Sequence, residues 1–259
     1  MTTTQSGRIH PASSLRISGC IAAACCLALA PVSFAGQITA PSGDVVVSVF
    51  GGIPGTTQGR TVEYMADVNS DGSFELPNQT SPGTNWNLTR LVVSGNVDPF
   101  TNLNFAVTNN AAVTLLFTVS VTLPIVPQLP ATLHGGSMGG TLTDANNNGS
   151  GSVATSGGIP YYQGQIDGAT VLSSYPDPYT LSVAFPGQTV NLPALNPGLP
   201  GPTLSSGPAL STIGIINRFT LSPGDSFAGN SFFVVVPVPE PSTLVLLAMA
   251  CVAVAGRRR

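Results

Sequence analysis

The sequence predicts an all-β fold, an antiparallel β-sandwich, from three observations. Short apolar runs alternate with polar residues at period two, the mark of half-buried strands. Gly, Pro, Asn and Asp separate those runs, with 29 Gly and 23 Pro among 259 residues. Between the two ends no segment shows a 3.6-residue period, and only 7% of residues are charged, where an ordinary soluble domain has roughly a quarter. Helical bundles, coiled coils and a typical cytosolic α/β enzyme are disfavoured. A hydrophobic fraction of 42% is too high for simple disorder. With eight arginines and no lysine, no basic patch for nucleic acid can be assembled.

The first element is a leader. Arg8 and Arg16 precede an apolar stretch over 17–30, and Ser33-Phe34-Ala35 follows. A positive region, an apolar core and a small-residue cleavage site make a signal peptide over 1–35, cut after Ala35. The apolar stretch is short of the ~20 residues of a spanning helix.

The body over 36–238 supplies the strands. The first run covers 45–50. The second covers 60–66, with Val62, Tyr64 and Ala66 on one face and Thr61 and Glu63 on the other. The third covers 86–93. Runs over 104–108 and 112–123 flank Asn109-Asn110, which reads as a tight hairpin turn. In the second of these, Leu115, Phe117, Val119, Val121 and Leu123 alternate with Thr118, Ser120 and Thr122. Later runs cover 161–166, 179–185, 213–221 and 231–236. Alternating Val, Leu, Ile and Phe on two facing sheets would form the core of an Ig-like or jelly-roll-like sandwich. A break near 124–130 would divide the body, but neither half would be large, so one domain is expected. Six prolines in 186–208 predict a stiff irregular loop across the sandwich edge.

The last element is the tail over 239–259. Pro239-Glu240-Pro241 is followed by an apolar segment over 244–256 and by Arg257, Arg258 and Arg259. This reads as a single transmembrane helix of about 15 residues, short for permanent spanning, with its arginines held on the cytoplasmic side. In motif, order and position the tail resembles the PEP-CTERM sorting signal of Gram-negative and related bacteria. The resemblance covers only the last 21 or so residues. It implies recognition by an exosortase, with cleavage near the motif after a transient stay in the inner membrane. It also implies a place in or on the polymer layer of biofilm-forming bacteria. It implies nothing about the fold of the body.

Composition narrows the chemistry of the body. Cys20, Cys25 and Cys26 lie in the leader and Cys251 in the tail, so the body has no thiol for a nucleophile, a zinc site or an iron–sulfur cluster. Arg60, Arg90 and Arg218 face ten acids over 36–238, a net charge of −7 that would attract divalent cations and repel anionic polymer.

Two segments have metal-ligand spacing. Asp67, Asn69 and Asp71, followed by Gly72 and Glu75, form the front half of an EF-hand-type calcium loop. Position twelve is Asn78, so Glu75 would have to close the shell; the other reading is a hairpin turn. Asp144, Asn146 and Asn148 before Gly149 repeat the spacing with a single charge, and position twelve is Thr155. There a flexible turn is the competing reading. Gly135-Gly136-Ser137-Met138-Gly139 matches G-x-S-x-G. However, His134 precedes the serine and no base follows, so a glycine-rich connection is expected rather than a nucleophile elbow. Trp86 is expected in the core, and exposure of Trp86, Tyr161, Tyr162 and Tyr175 on one face would instead mark a sugar platform.

The function expected is a structural or adhesive role for an exported, exosortase-processed surface or matrix protein, not an enzyme. Its partners would be the export machinery, the exosortase and extracellular polysaccharide. A calcium-supported carbohydrate-binding module is the second reading. A glycosidase, which would need two carboxylates roughly 5–10 Å apart in a cleft, is the third.

Overall fold

The computed structural model describes residues 45–238. The leader with Ala35, the Pro239-Glu240-Pro241 motif, the apolar tail segment and Arg257–Arg259 lie outside the described residues. Among the described residues no helix is long and apolar enough to cross a membrane.

Among the described residues fifteen strands form two antiparallel sheets. The first sheet holds β1 (Val45–Gly52), β2 (Gly59–Ala66), β6 (Leu115–Pro124), β9 (Tyr162–Ile166), β10 (Ala169–Ser174) and β14 (Thr212–Leu221), in the order β10-β9-β14-β6-β1-β2. β8 (Gly151–Ala154) joins β14 and carries β11 (Thr180–Val183). The second sheet holds β3 (Ser73–Leu76), β4 (Trp86–Asn96), β5 (Phe100–Asn109), β7 (Thr132–Thr143), β12 (Thr189–Leu195) and β15 (Ser226–Pro237), in the order β12-β7-β15-β5-β4-β3. β13 (Leu204–Ser206) pairs with the start of β7.

The inner faces of the sheets share one aromatic core. Phe105 on β5 stacks on Phe219 of β14 at 5.9 Å, and Phe219 stacks on Phe117 of β6 at 5.6 Å. Trp86 meets the edge of Phe117 at 5.7 Å. Such pairs add about 0.5–1.5 kcal/mol each beyond their burial. The alternation read along 112–123 is literal: Leu115, Phe117, Val119, Val121 and Leu123 are buried, and the residues between them face outward.

Three expectations are corrected. Asn109-Asn110 is not a hairpin turn, because β5 and β6 belong to different sheets. Asn109 is buried, and its amide donates to the carbonyls of Val113, Leu221 and Ser222 while its oxygen accepts the Ala111 N–H. Those bonds turn the chain from one sheet to the other. The segment 186–208 is not wholly irregular: β12 and β13 pair along β7 and extend the second sheet. Finally, Gly135–Gly139 is no connection but the middle of β7, paired with β15 from Thr132 to Thr143.

The glycines of β7 have a packing reason. A Cβ at Gly136 would stand 2.4 Å from the Tyr162 hydroxyl, and one at Gly140 would stand 2.5 Å from the Phe227 ring. A side chain at either position would displace the aromatic that fills the core.

Candidate functional sites

The loop from Asp67 to Glu75 folds as a turn entering β3. Gly72 has φ 81°, a left-handed conformation that glycine adopts at no steric cost. The Asn69 N–H donates to the Ser73 carbonyl at 2.8 Å, and the Gly72 N–H to the Asn69 carbonyl at 2.9 Å. One Asp71 oxygen accepts both the Ser73 amide, at 3.0 Å, and the Ser73 hydroxyl, at 2.6 Å. That hydroxyl, followed by the amide, holds the Asp71 carboxyl below its ordinary range. Asp67 and Glu75 are both exposed, and Glu75 stands on β3 opposite Ser94. Asn78 is turned away to accept the Leu91 N–H. The loop thus brings Asn69, Asp71 and Ser73 together and leaves Asp67 and Glu75 outside that knot.

The second loop is built around a buried acid. Asp144 is 1% exposed. One of its oxygens accepts the amides of Gly149 and Gly187 at 2.9 and 3.1 Å, and the other accepts the Asn148 amide at 3.3 Å. Burial pulls the Asp144 carboxyl upward, but these amides outweigh it and hold it below its ordinary range. Asn146 and Asn148 are exposed, and their oxygens accept the N–H groups of Asn148 and Ser150. Across from Asp144 lies Asp225, fully buried, a residue that motif spacing does not reveal. Its proximity follows from strand register, which local sequence does not carry. Among the described residues no three His, Cys, Asp or Glu side chains converge as a metal cluster.

Ser137 sits mid-strand, opposite Phe232 of β15. His134, three residues earlier, has its side chain on the opposite face of the same strand. It is buried against Phe233, its Nδ1 lies 3.2 Å from the Ser206 hydroxyl, and burial lowers its pKa. No strand–turn–helix elbow surrounds the serine.

The aromatics of the expected sugar platform are inside. Trp86, Tyr161 and Tyr162 are at most 1% exposed and Tyr175 is 5% exposed, so these four form no sugar platform. Trp86 donates from Nε1 to the Gly51 carbonyl at 3.2 Å, and the Arg60 guanidinium lies 4.9 Å above its ring. The outer face of the second sheet instead carries a shallow groove of about 570 Å³. Small residues such as Gly139, Ala194 and Ala228 form its floor, and Arg90, Asn104, Asn191 and Asn230 stand along it. Asn230 donates to Asn104 at 2.9 Å, so the carboxamides form a ladder across β15 and β5.

Comparison with known families matches residues 237–259 to the PEP-CTERM protein-sorting motif. The match falls on the Pro239-Glu240-Pro241 tail and covers none of the sheets except the end of β15. No curated protein matches the chain. The class this defines is an exported protein addressed to the cell surface or the extracellular space. More particularly, the chain is an exosortase target that carries an all-β body.

Proposed function

We propose that the body is a structural or adhesive component of a surface or extracellular polymer layer. The exosortase releases it into that layer or re-anchors it there, after the apolar tail segment has held it briefly in the inner membrane. The observation that carries this reading is how the acids of the body are used. Asp71, Asp144, Asp167 and Asp177 each accept backbone N–H groups at turns. Asp167 takes the amides of Leu210, Ser211 and Thr212, and Asp177 takes the amide of Gly158 and the hydroxyl of Thr155. The carboxylates hold loops in place, which is what a scaffold needs of them. The carboxylates that register brings together, Asp144 and Asp225, are buried. The reading is tested by fractionating cells that express the full chain. The wild type should leave the membrane for the surface or polymer fraction, and replacing Pro239-Glu240-Pro241 by three alanines should retain it. Equal release of both chains would overturn the sorting step, and release to free medium alone would overturn the matrix role.

The outer groove favours a second reading, a carbohydrate-binding module. Carboxamides both donate and accept hydrogen bonds, as sugar hydroxyls do. Gly139→Leu tests it. A Cβ there meets nothing closer than Ala194 at 3.8 Å, so the fold tolerates the side chain while the groove fills. Glycan binding unchanged by Gly139→Leu would dismiss the groove.

A further inference from the structure

We propose that Asp144 and Asp225 together bind a divalent cation of the calcium type at the end of the β7–β15 ladder. The last pair of that ladder is Thr143 opposite Ser226. One step further, the antiparallel register sets Asp144 directly opposite Asp225. Cross-strand neighbours have Cβ atoms about 4.5–5.5 Å apart, and like charges so placed destabilise a sheet. Both acids are buried, at 1% and 0% exposure. Their contact is felt electrostatically: burial first, with the Asp144 charge and a side-chain contact to Asp144 behind it, raises the Asp225 carboxyl, against the Ser222 hydroxyl and the Ala145 amide.

The arginines of the described residues stand elsewhere. Arg60 is held by Ser81 and Trp86, Arg90 lines the outer groove, and the Arg218 guanidinium lies near Gly157. The remaining neighbours are neutral. Ser222 donates to Asp225 Oδ2 and the Ala145 amide also faces Asp225, while the amides of Asn147, Asn148, Gly149 and Gly187 reach Asp144.

One oxygen is left over. Asp225 Oδ1 is buried and has no hydrogen-bond partner. A buried carboxylate oxygen without a donor calls for a proton or an ion beside it. The surrounding donors favour the ion. Asp144 Oδ1 accepts the Asn148 amide at 3.3 Å, a long contact that leaves it a lone pair. Asn146 packs beside the pair, its Nδ2 donating to the Pro223 carbonyl at 2.8 Å and its side chain lying against Gly224. The Asn146 carboxamide oxygen already accepts the Asn148 N–H at 3.0 Å, and its second lone pair supplies a third ligand from the exposed side of the loop, with water completing the shell. In the twelve-residue spacing the closing residue is Thr155, whose hydroxyl donates to Asp177 instead. Asp225, the residue just before β15, replaces it.

All these donors are oxygens, which suit calcium and magnesium rather than zinc or copper. An irregular shell with two carboxylates suits calcium better than the strict octahedron of magnesium. Few charges in an extracellular setting place the affinity at a Kd of about 10⁻⁴–10⁻³ M.

The test titrates calcium chloride into the chelator-stripped full chain at pH 7, by calorimetry and by thermal unfolding, with magnesium chloride as comparison. One site per chain, with a calcium-dependent rise of the unfolding temperature, is expected. Asp225→Asn should abolish both while the chain still folds in chelator, since the near-isosteric amide relieves the like-charge contact. Asn146→Ala, at an exposed position, should weaken calcium several-fold and serves if the buried variant fails to fold. Asp71→Asn, in the other loop, should change nothing. The proposal is overturned by no calcium response in the millimolar range, by a response that survives Asp225→Asn, or by one lost on Asp71→Asn. Because the purified chain is titrated, the result does not depend on where the cell places it.

Discussion

Removing the side chain of Asn109 should cost the fold more than any exposed substitution. Asn109 lies at the end of β5, where the chain leaves one sheet for the other. Its two amide hydrogens serve three carbonyls, those of Val113 at 2.9 Å, Leu221 at 2.9 Å and Ser222 at 3.0 Å. Its oxygen takes the Ala111 N–H at 2.9 Å. Two donated bonds and one accepted bond, at about 1 kcal/mol net each, give roughly 3 kcal/mol for Asn109→Ala. Asn109→Asp should be worse at neutral pH, because a carboxylate would face three carbonyls and no longer donate. Its folded pKa would be raised, so the variant should be least damaged below about pH 4 and lose stability as pH rises. Urea unfolding reports this directly through Trp86, the only tryptophan and the cross-strand partner of Asn109. A lowered midpoint at unchanged slope is expected. If Asn109→Ala stays within about 0.5 kcal/mol of wild type, the ordinary range for a surface change, the stapling argument is wrong.

Asp167 gives a pH prediction of the opposite sign. Burial raises its carboxyl, but the Ser211 hydroxyl and the amides of Thr212, Leu210 and Ser211 prevail and bring it to about 2. A depressed carboxyl contributes stability above its unfolded pKa that is lost as pH falls towards 2. Discounted for its exposure, Asp167→Asn should therefore cost about 1 kcal/mol at pH 7 and nothing near pH 2, read from thermal unfolding across pH. Gly140→Ala should destabilise by about 1–3 kcal/mol, because its Cβ would enter the Phe227 ring, whereas Gly139→Ala one residue away should be nearly neutral; equal effects in urea melts would refute the ring contact. Appending residues 237–259 to an unrelated exported domain should confer exosortase-dependent release, scored by fractionation with and without the enzyme, because the motif match lies in the tail.

Where hydrophobic alternation was strong, the strands could be read from sequence. The run over 112–123 covers β6 up to its penultimate residue, and the run over 60–66 gives β2 with its two faces correctly sorted. The omissions share a cause. β7 was hidden because its glycines, at 135, 136, 139 and 140, erase the period-two signal while making room for Tyr162 and Phe227. β10 was missed although Asp167-Gly168, with φ of 50° and 77°, is the Asp-Gly hairpin signal that joins it to β9. β3 and β8 are four residues long and follow the two Asp/Asn/Gly loops, so the turn composition masks them. Asn109-Asn110 misled in the other direction. Its dipeptide has turn chemistry, but the choice between a hairpin and a crossing to the other sheet rests on partners more than a hundred residues away, Leu221 and Ser222.

The candidate sites divide along the same line. Spacing picked out Asp71 and Asp144, and both proved to be loop-building acids whose oxygens meet N–H groups two to five residues on. That much is local, and a D-x-N-x-[DN]-G pattern carries it whether or not a cation is present. What separates the two loops is non-local. The Asp67 loop has Glu75 and Asn78 available in sequence, yet one points outward from β3 and the other accepts the Leu91 N–H in the middle of β4. The Asp144 loop has no second acid within its own twelve residues, yet strand register delivers one from eighty-one positions away. A buried carboxylate oxygen with no donor is visible only after two sheets have closed over it. The second loop, which sequence spacing makes the weaker candidate, is therefore the one where an unsatisfied charge makes a cation worth seeking.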